Sequence, residues 1–250
     1  MNIKWEEHGE GDPLLLIQGL GYGRWGWDPV VAGLAERYRV LTFDNRGIGE
    51  SDKPEGPYTA RAMAADALQV LDEAGAPRAH VAGASLGGMI AQEVATAHPE
   101  RVEKLVLCCT TPGGAATVPM PEVTVRLFAE APTLAPDVAL RRFVENALGE
   151  DPPAGLVDEL VRRRLENPPD PAGWQAQAAA GIGFAGAEGE IAAPTLVLAG
   201  TADNVVDHRN SDVLAERIPG ARVERLEGAG HLFFWEQPAA FVRIVSEFLG

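Results

Sequence analysis

Short apolar runs recur along the chain at residues 14–18, 40–44, 79–84, 105–109, 195–200 and 222–226. Each has the length and the Val, Leu, Ile and Ala content of a strand buried on both faces, and helical spacing fills the stretches between them. After the second run, Met63, Ala67, Val70, Leu71 and Ala74 share one helix face, and Gly75 and Pro77 end that helix. This alternation predicts an α/β fold, a mostly parallel twisted sheet with helices on both faces. A more polar stretch at 3–7 predicts an antiparallel edge strand.

The pattern changes from Pro112 to Pro194, a stretch that, with both ends included, holds 11 of the 19 prolines and no convincing strand. Only short helical patterns occur there, at 123–130, 138–148 and 156–166. The expectation is an α-helical lid over 113–189, inserted into a core made of 1–112 and 190–250 and lying over the strand ends. There is no internal repeat.

Composition narrows the partners. Hydrophobic residues make up 46% and charged residues 23% of the 250 positions, as in ordinary globular domains. A net charge of −15 disfavours broad binding to nucleic acid or to an anionic membrane surface, so a small-molecule partner is expected. Without a signal core or an apolar run near the ~20 residues of a membrane span, the expected location is cytoplasmic. Homo-oligomerisation stays open. The two cysteines, Cys108 and Cys109, fall on a predicted buried strand with side chains toward opposite faces. They are expected to be core residues, not a disulfide or a metal site.

The candidate chemistry begins at Gly83-Ala84-Ser85-Leu86-Gly87, a Gly-x-Ser-x-Gly pattern between a predicted strand and a predicted helix. A nucleophile at such a turn stands above the sheet, and glycines two residues to either side remove side chains that would collide with the backbone. A serine hydroxyl needs a general base, and the base needs an acid to hold its tautomer. Of five histidines, His231 follows the last strand in Gly228-Ala229-Gly230-His231, on the same sheet edge as Ser85. Asp203, just after the strand at 195–200, is the preferred acid, with Asp207 second; a turn or capping role would also suit both.

Acyl transfer also needs donors for a developing oxyanion. The backbone amides of Leu86 and of Leu20, in Gln18-Gly19-Leu20-Gly21, are the candidates. Gly21-Tyr22-Gly23-Arg24-Trp25-Gly26 also fits G-x-G-x-x-G, with Asp44 about 20 residues on. The match begins three residues beyond the strand, however, and Asp28-Pro29 reads as a helix start after the glycines. Dinucleotide binding is therefore set aside, and no cofactor or metal is expected.

With these residues in place, the chain resembles the α/β-hydrolase superfamily along nearly its whole length, and most of all the oxoadipate enol-lactonase-like esterases. Gln18-Gly19-Leu20-Gly21, Asp44-Asn45-Arg46-Gly47-Ile48-Gly49-Glu50-Ser51, Gly83 to Gly88, Asp203 and Gly230-His231 carry the resemblance. It implies a cofactor-free hydrolase with a helical cap, in which Asp44, Arg46 and Ser51 are architectural. Gln18 stands where a histidine commonly opens the oxyanion loop. Serine at 85 separates the chain from haloalkane dehalogenases and epoxide hydrolases, which use aspartate there.

The expected activity is hydrolysis of a small or medium carboxylic ester or lactone through an acyl-enzyme on Ser85. Trp25, Phe128, Phe143 and Trp174 are candidates for an apolar substrate pocket, although packing between lid and core would equally explain them. The rival chemistries are C–C bond hydrolysis and perhydrolysis with the same three residues. A rival of a different class is a ligand-binding protein on a hydrolase scaffold.

Overall fold

The computed structural model describes residues 1–250. Seven strands form one sheet: β1 (Trp5–His8), β2 (Asp12–Ile17), β3 (Tyr38–Phe43), β4 (Ala79–Ala84), β5 (Val102–Cys108), β6 (Thr195–Gly200) and β7 (Arg222–Leu226). They are ordered β1-β3-β2-β4-β5-β6-β7. Only β1 runs antiparallel, pairing Trp5 with Phe43 and His8 with Val40 at the edge. The expected mostly parallel sheet with an antiparallel edge is present.

The apolar runs are continuous because both faces of the sheet are covered. Leu15, Ile17, Val81, Leu105, Leu107 and Val197 point into one core layer, shared with α2 (Ala60–Glu73) and α3 (Leu86–Ala97). Their strand neighbours Leu14, Leu16, Ala82, Val106, Leu196 and Leu198 point into the other. That second layer is closed by α1 (Asp28–Leu34), by α9 (Phe233–Glu236) and by α10 (Pro238–Leu249), whose Trp27-adjacent aromatic cluster includes Phe233, Phe234 and Phe241. Thr59 caps α2, its side chain accepting from Ala62 N–H, and the Met63 face predicted from spacing is buried.

Four helices lie between β5 and β6: α4 (Glu122–Glu130), α5 (Pro136–Asn146), α6 (Leu156–Glu166) and α7 (Pro171–Ile182). The last was not among the helical patterns seen in the sequence. Its residues, PAGWQAQAAAGI, are mostly small and apolar on every side, so they give little 3.6-residue contrast. The readable signal was the start: Asp170 accepts from Gly173 N–H and Pro171 occupies the first turn. The helix α8 (Asn210–Arg217) then joins β6 to β7.

One expectation needs correction. Cys108 ends β5, but Cys109 lies past the strand with φ +41°. The chain has already turned out of the sheet there, so the two side chains do not alternate across it; both thiols are buried in the same core layer.

Candidate active site

Ser85 sits between β4 and α3 at φ 55° and ψ −118°, a conformation rarely adopted by a residue bearing a side chain. The flanking sequence explains how the turn closes. A Cβ on Gly83 would lie 2.2 Å from Gly87 O, and one on Gly87 would lie 2.1 Å from Ile17 O. Only glycine lets β4, α3 and the end of β2 approach this closely. Backbone bonds hold the turn: Ser85 N–H donates to Cys108 O at 2.9 Å, and Thr110 Oγ1 donates to Ser85 O at 2.7 Å.

β4, β6 and β7 run parallel, so the loops after β6 and β7 open on the same sheet edge as this turn, and they touch each other there. A Cβ on Gly200 would lie 2.3 Å from both Ala229 O and Gly230 O, and Ala202 N–H donates to Ala229 O at 2.9 Å. This backbone contact brings Asp203 and His231 together, with His231 Nδ1 2.7 Å from Asp203 Oδ2. The other carboxylate oxygen, Oδ1, accepts from Val205 N–H at 2.7 Å and Val206 N–H at 2.9 Å, which fixes its direction. Asp207 is turned to Arg209, whose guanidinium holds its carboxyl below the usual range. Of the two candidate acids, only Asp203 meets the histidine.

Burial would favour a neutral His231 ring, but the Asp203 carboxylate, with Cys109 adding to it, holds the imidazole well above its ordinary value. Sequence reasoning did not anticipate Cys109 as a neighbour whose titration is linked to this ring. Burial pushes that thiol up, so it remains protonated. No hydrogen bond joins Ser85 Oγ to His231 in this conformation, as is common before substrate binds.

The loop after β2 passes over Ser85, since a Cβ on Gly19 would lie 3.0 Å from Ser85 Cβ. The Leu20 amide takes part in no backbone hydrogen bond. Leu86 is the first residue of α3, so no helical carbonyl reaches its amide. Gly21 is held from the helical segment: its N–H donates to Gln177 Oε1 at 3.1 Å, and Arg164 Nη1 donates to its carbonyl at 2.7 Å. Gln177, fully buried in α7, also donates to Arg46 O at 2.8 Å. No sequence pattern pointed to it.

Of the pocket candidates, Trp174 lies against the loop after β2; a Cβ on Gly21 would lie 2.7 Å from its ring. Trp25 packs against Tyr22 and Trp235 with Arg163 over its face. Phe128 and Phe143 pack against each other between α4 and α5 with their rings tilted, centres 5.1 Å apart.

The G-x-G-x-x-G stretch folds as a loop and a 3-10 turn, and Asp44 is taken up by structure. Its Oδ1 accepts from Arg24 N–H at 2.7 Å, and its Oδ2 from the Arg24 guanidinium at 2.5 Å and from Glu50 N–H at 3.0 Å. Arg46 pairs with Asp66, and Ser51 Oγ donates to Asp44 O. No group of three His, Cys, Asp or Glu gathers in a metal-binding arrangement, and no helix is long and apolar enough to cross a membrane.

The family model described as alpha/beta hydrolase fold matches residues 12–238, and the chain belongs to that family. RutD of Azorhizobium caulinodans, provisionally named a carbamate hydrolase, is 32% identical over 273 residues, spanning 100% of this chain and 95% of its own. The pimeloyl-[acyl-carrier protein] methyl ester esterase of Aeromonas hydrophila is 30% identical over 262 residues, spanning 100% of both chains. Among solved structures, the enol-lactonase of Burkholderia xenovorans LB400 superposes with a TM-score of 0.84 at 28% identity, covering 99% of this chain and 96% of that one.

Proposed function

We propose that this α/β hydrolase cleaves small to medium carboxylic esters or lactones through an acyl-enzyme on Ser85. Asp203 and His231 act as its acid and base, and the Leu20 and Leu86 amides as its oxyanion donors. Residues 1–112 and 190–250 form the catalytic core, and 113–189 form a lid over it. The carrying observation is the strained Ser85 turn under the Gly19 loop, on the same edge of the sheet as a buried His231–Asp203 pair. The relatives that act on a methyl ester and an enol-lactone support the same substrate class.

The chemistry follows from that arrangement. Ser85 Oγ attacks the carbonyl carbon while His231 Nε2 takes its proton, and Asp203 stabilises the imidazolium through Nδ1–H. The carbonyl oxygen becomes an oxyanion facing two fixed N–H donors, which need no reorganisation as charge develops. Collapse breaks the C–O bond, and His231 returns its proton to the departing alkoxide. Water, deprotonated by His231, then attacks the acyl carbon, and the carboxylic acid leaves as Ser85 recovers its proton.

Turnover of nitrophenyl esters, lactones and diketone ring-cleavage products by wild type and Ser85→Ala tests this reading. Wild type should hydrolyse esters or lactones, and S85A should lose about 10⁴-fold or more of kcat. A folded wild type that cleaves only the diketone C–C bond, or that binds these compounds without turnover, contradicts it.

A further inference from the structure

Glu236 takes no part in the chemistry above, yet it is deeply committed beside it. It ends α9, five residues after His231, and is 9% exposed with no basic side chain paired to it. Its two oxygens serve two different segments. Oε2 accepts from Gly230 N–H at 2.7 Å, the residue just before His231. Oε1 accepts from Gly149 N–H at 2.8 Å, shortly after the end of α5.

These segments touch at the backbone. A Cβ on Gly230 would lie 2.4 Å from Leu148 C, and one on Gly149 would lie 2.0 Å from Gly228 O. Leu232 N–H donates to Ala147 O at 3.1 Å, so bonds flank His231 on both sides. Burial raises the Glu236 carboxyl above its ordinary value, while the two amides pull it back. A buried acid kept for packing alone would not need to divide its oxygens between the histidine loop and the segment after α5.

We propose that Glu236 is a positioning residue, which sets the placement of the His231 ring by tying its loop to residues 147–149 of the helical segment. Gly230 and Gly149 allow the contact, and the carboxylate fixes its spacing. The helical segment thereby becomes part of what orients the base, not only a cover over the substrate. The proposal rests on His231 as the base in the reading above.

The test compares wild type, Glu236→Gln and Glu236→Asp. The carboxamide keeps the shape but turns a donor toward one of the two N–H groups, and the shorter acid reaches one amide at most. Circular dichroism establishes that each variant is folded. Two readouts follow: kcat and KM on the best ester, and the low-field proton resonance of His231 Nδ1–H against Asp203. E236Q should lose about tenfold to a hundredfold in kcat with KM within about twofold, and its low-field resonance should shift or broaden. If E236Q does not fold, E236D should show the same pattern. A folded variant with wild-type kcat and an unchanged resonance overturns the proposal, even if its melting temperature falls. Wild-type turnover checks the esterase reading separately, and the resonance reports on the histidine whether or not any ester is a substrate.

Discussion

At the scale of single residues, the His231–Asp203 contact makes a signed prediction about pH. The neutral ring is the base, so kcat/KM must rise with pH as the imidazolium loses its proton. Asp203 holds that proton more tightly than usual, so the inflection should lie above the ordinary imidazole value of about 6.5. Asp203→Asn should lower kcat/KM by about 10⁴-fold and bring the inflection back toward that ordinary value, measured as a pH–rate profile. An unmoved inflection would remove Asp203 from the site. Among the residues proposed for the chemistry, those that need a particular local sequence were legible as candidates. Ser85 announced itself because its turn demands glycines at 83 and 87, and His231 because it follows a glycine-rich exit from the last strand. Glu236, Gln177 and Cys109 were not, because each meets a partner far away in the chain, and no spacing encodes such a partner.

Helix α7 shows what was hidden at the scale of elements. Its small apolar residues let it pack closely on its neighbours, which is why Gly173 meets the Gly47 backbone and why no amphipathic stripe betrayed it. From that helix Gln177 holds Gly21, next to the proposed Leu20 donor, and the carbonyl of Arg46. Gln177→Leu should leave two buried backbone groups unpaired and lower stability by about 1–3 kcal/mol for each, read by urea denaturation. It should also lower kcat, because the loop carrying the proposed Leu20 donor keeps only its Arg164 tether at Gly21. A variant with wild-type stability and wild-type kcat would show that the tether is dispensable. The strands were readable because β2, β4, β5 and β6 are covered on both sides and therefore apolar over most of their length. Their amino ends were placed too late at β2, β3 and β5, where Asp12, Arg39, Glu103 and Lys104 enter the sheet before the apolar run begins.

At the scale of the whole molecule, parallel strands explain how residues 85, 203 and 231 come to one edge. β4, β6 and β7 all run the same way, so the loops after them open on one side of the sheet, and only β5 separates β4 from β6. The order of the apolar runs made this architecture visible in the sequence, but which loops touch depends on glycine contacts such as Gly200 against Ala229, which appear only in three dimensions. The central claim is that Ser85 is the activated hydroxyl at that edge. Fluorophosphonate labelling followed by peptide mass spectrometry tests it directly. The account predicts one adduct, on the peptide that carries Ser85, slowed by an ester substrate and by Asp203→Asn. A folded protein that takes up no label, or takes it up on another residue, would contradict it.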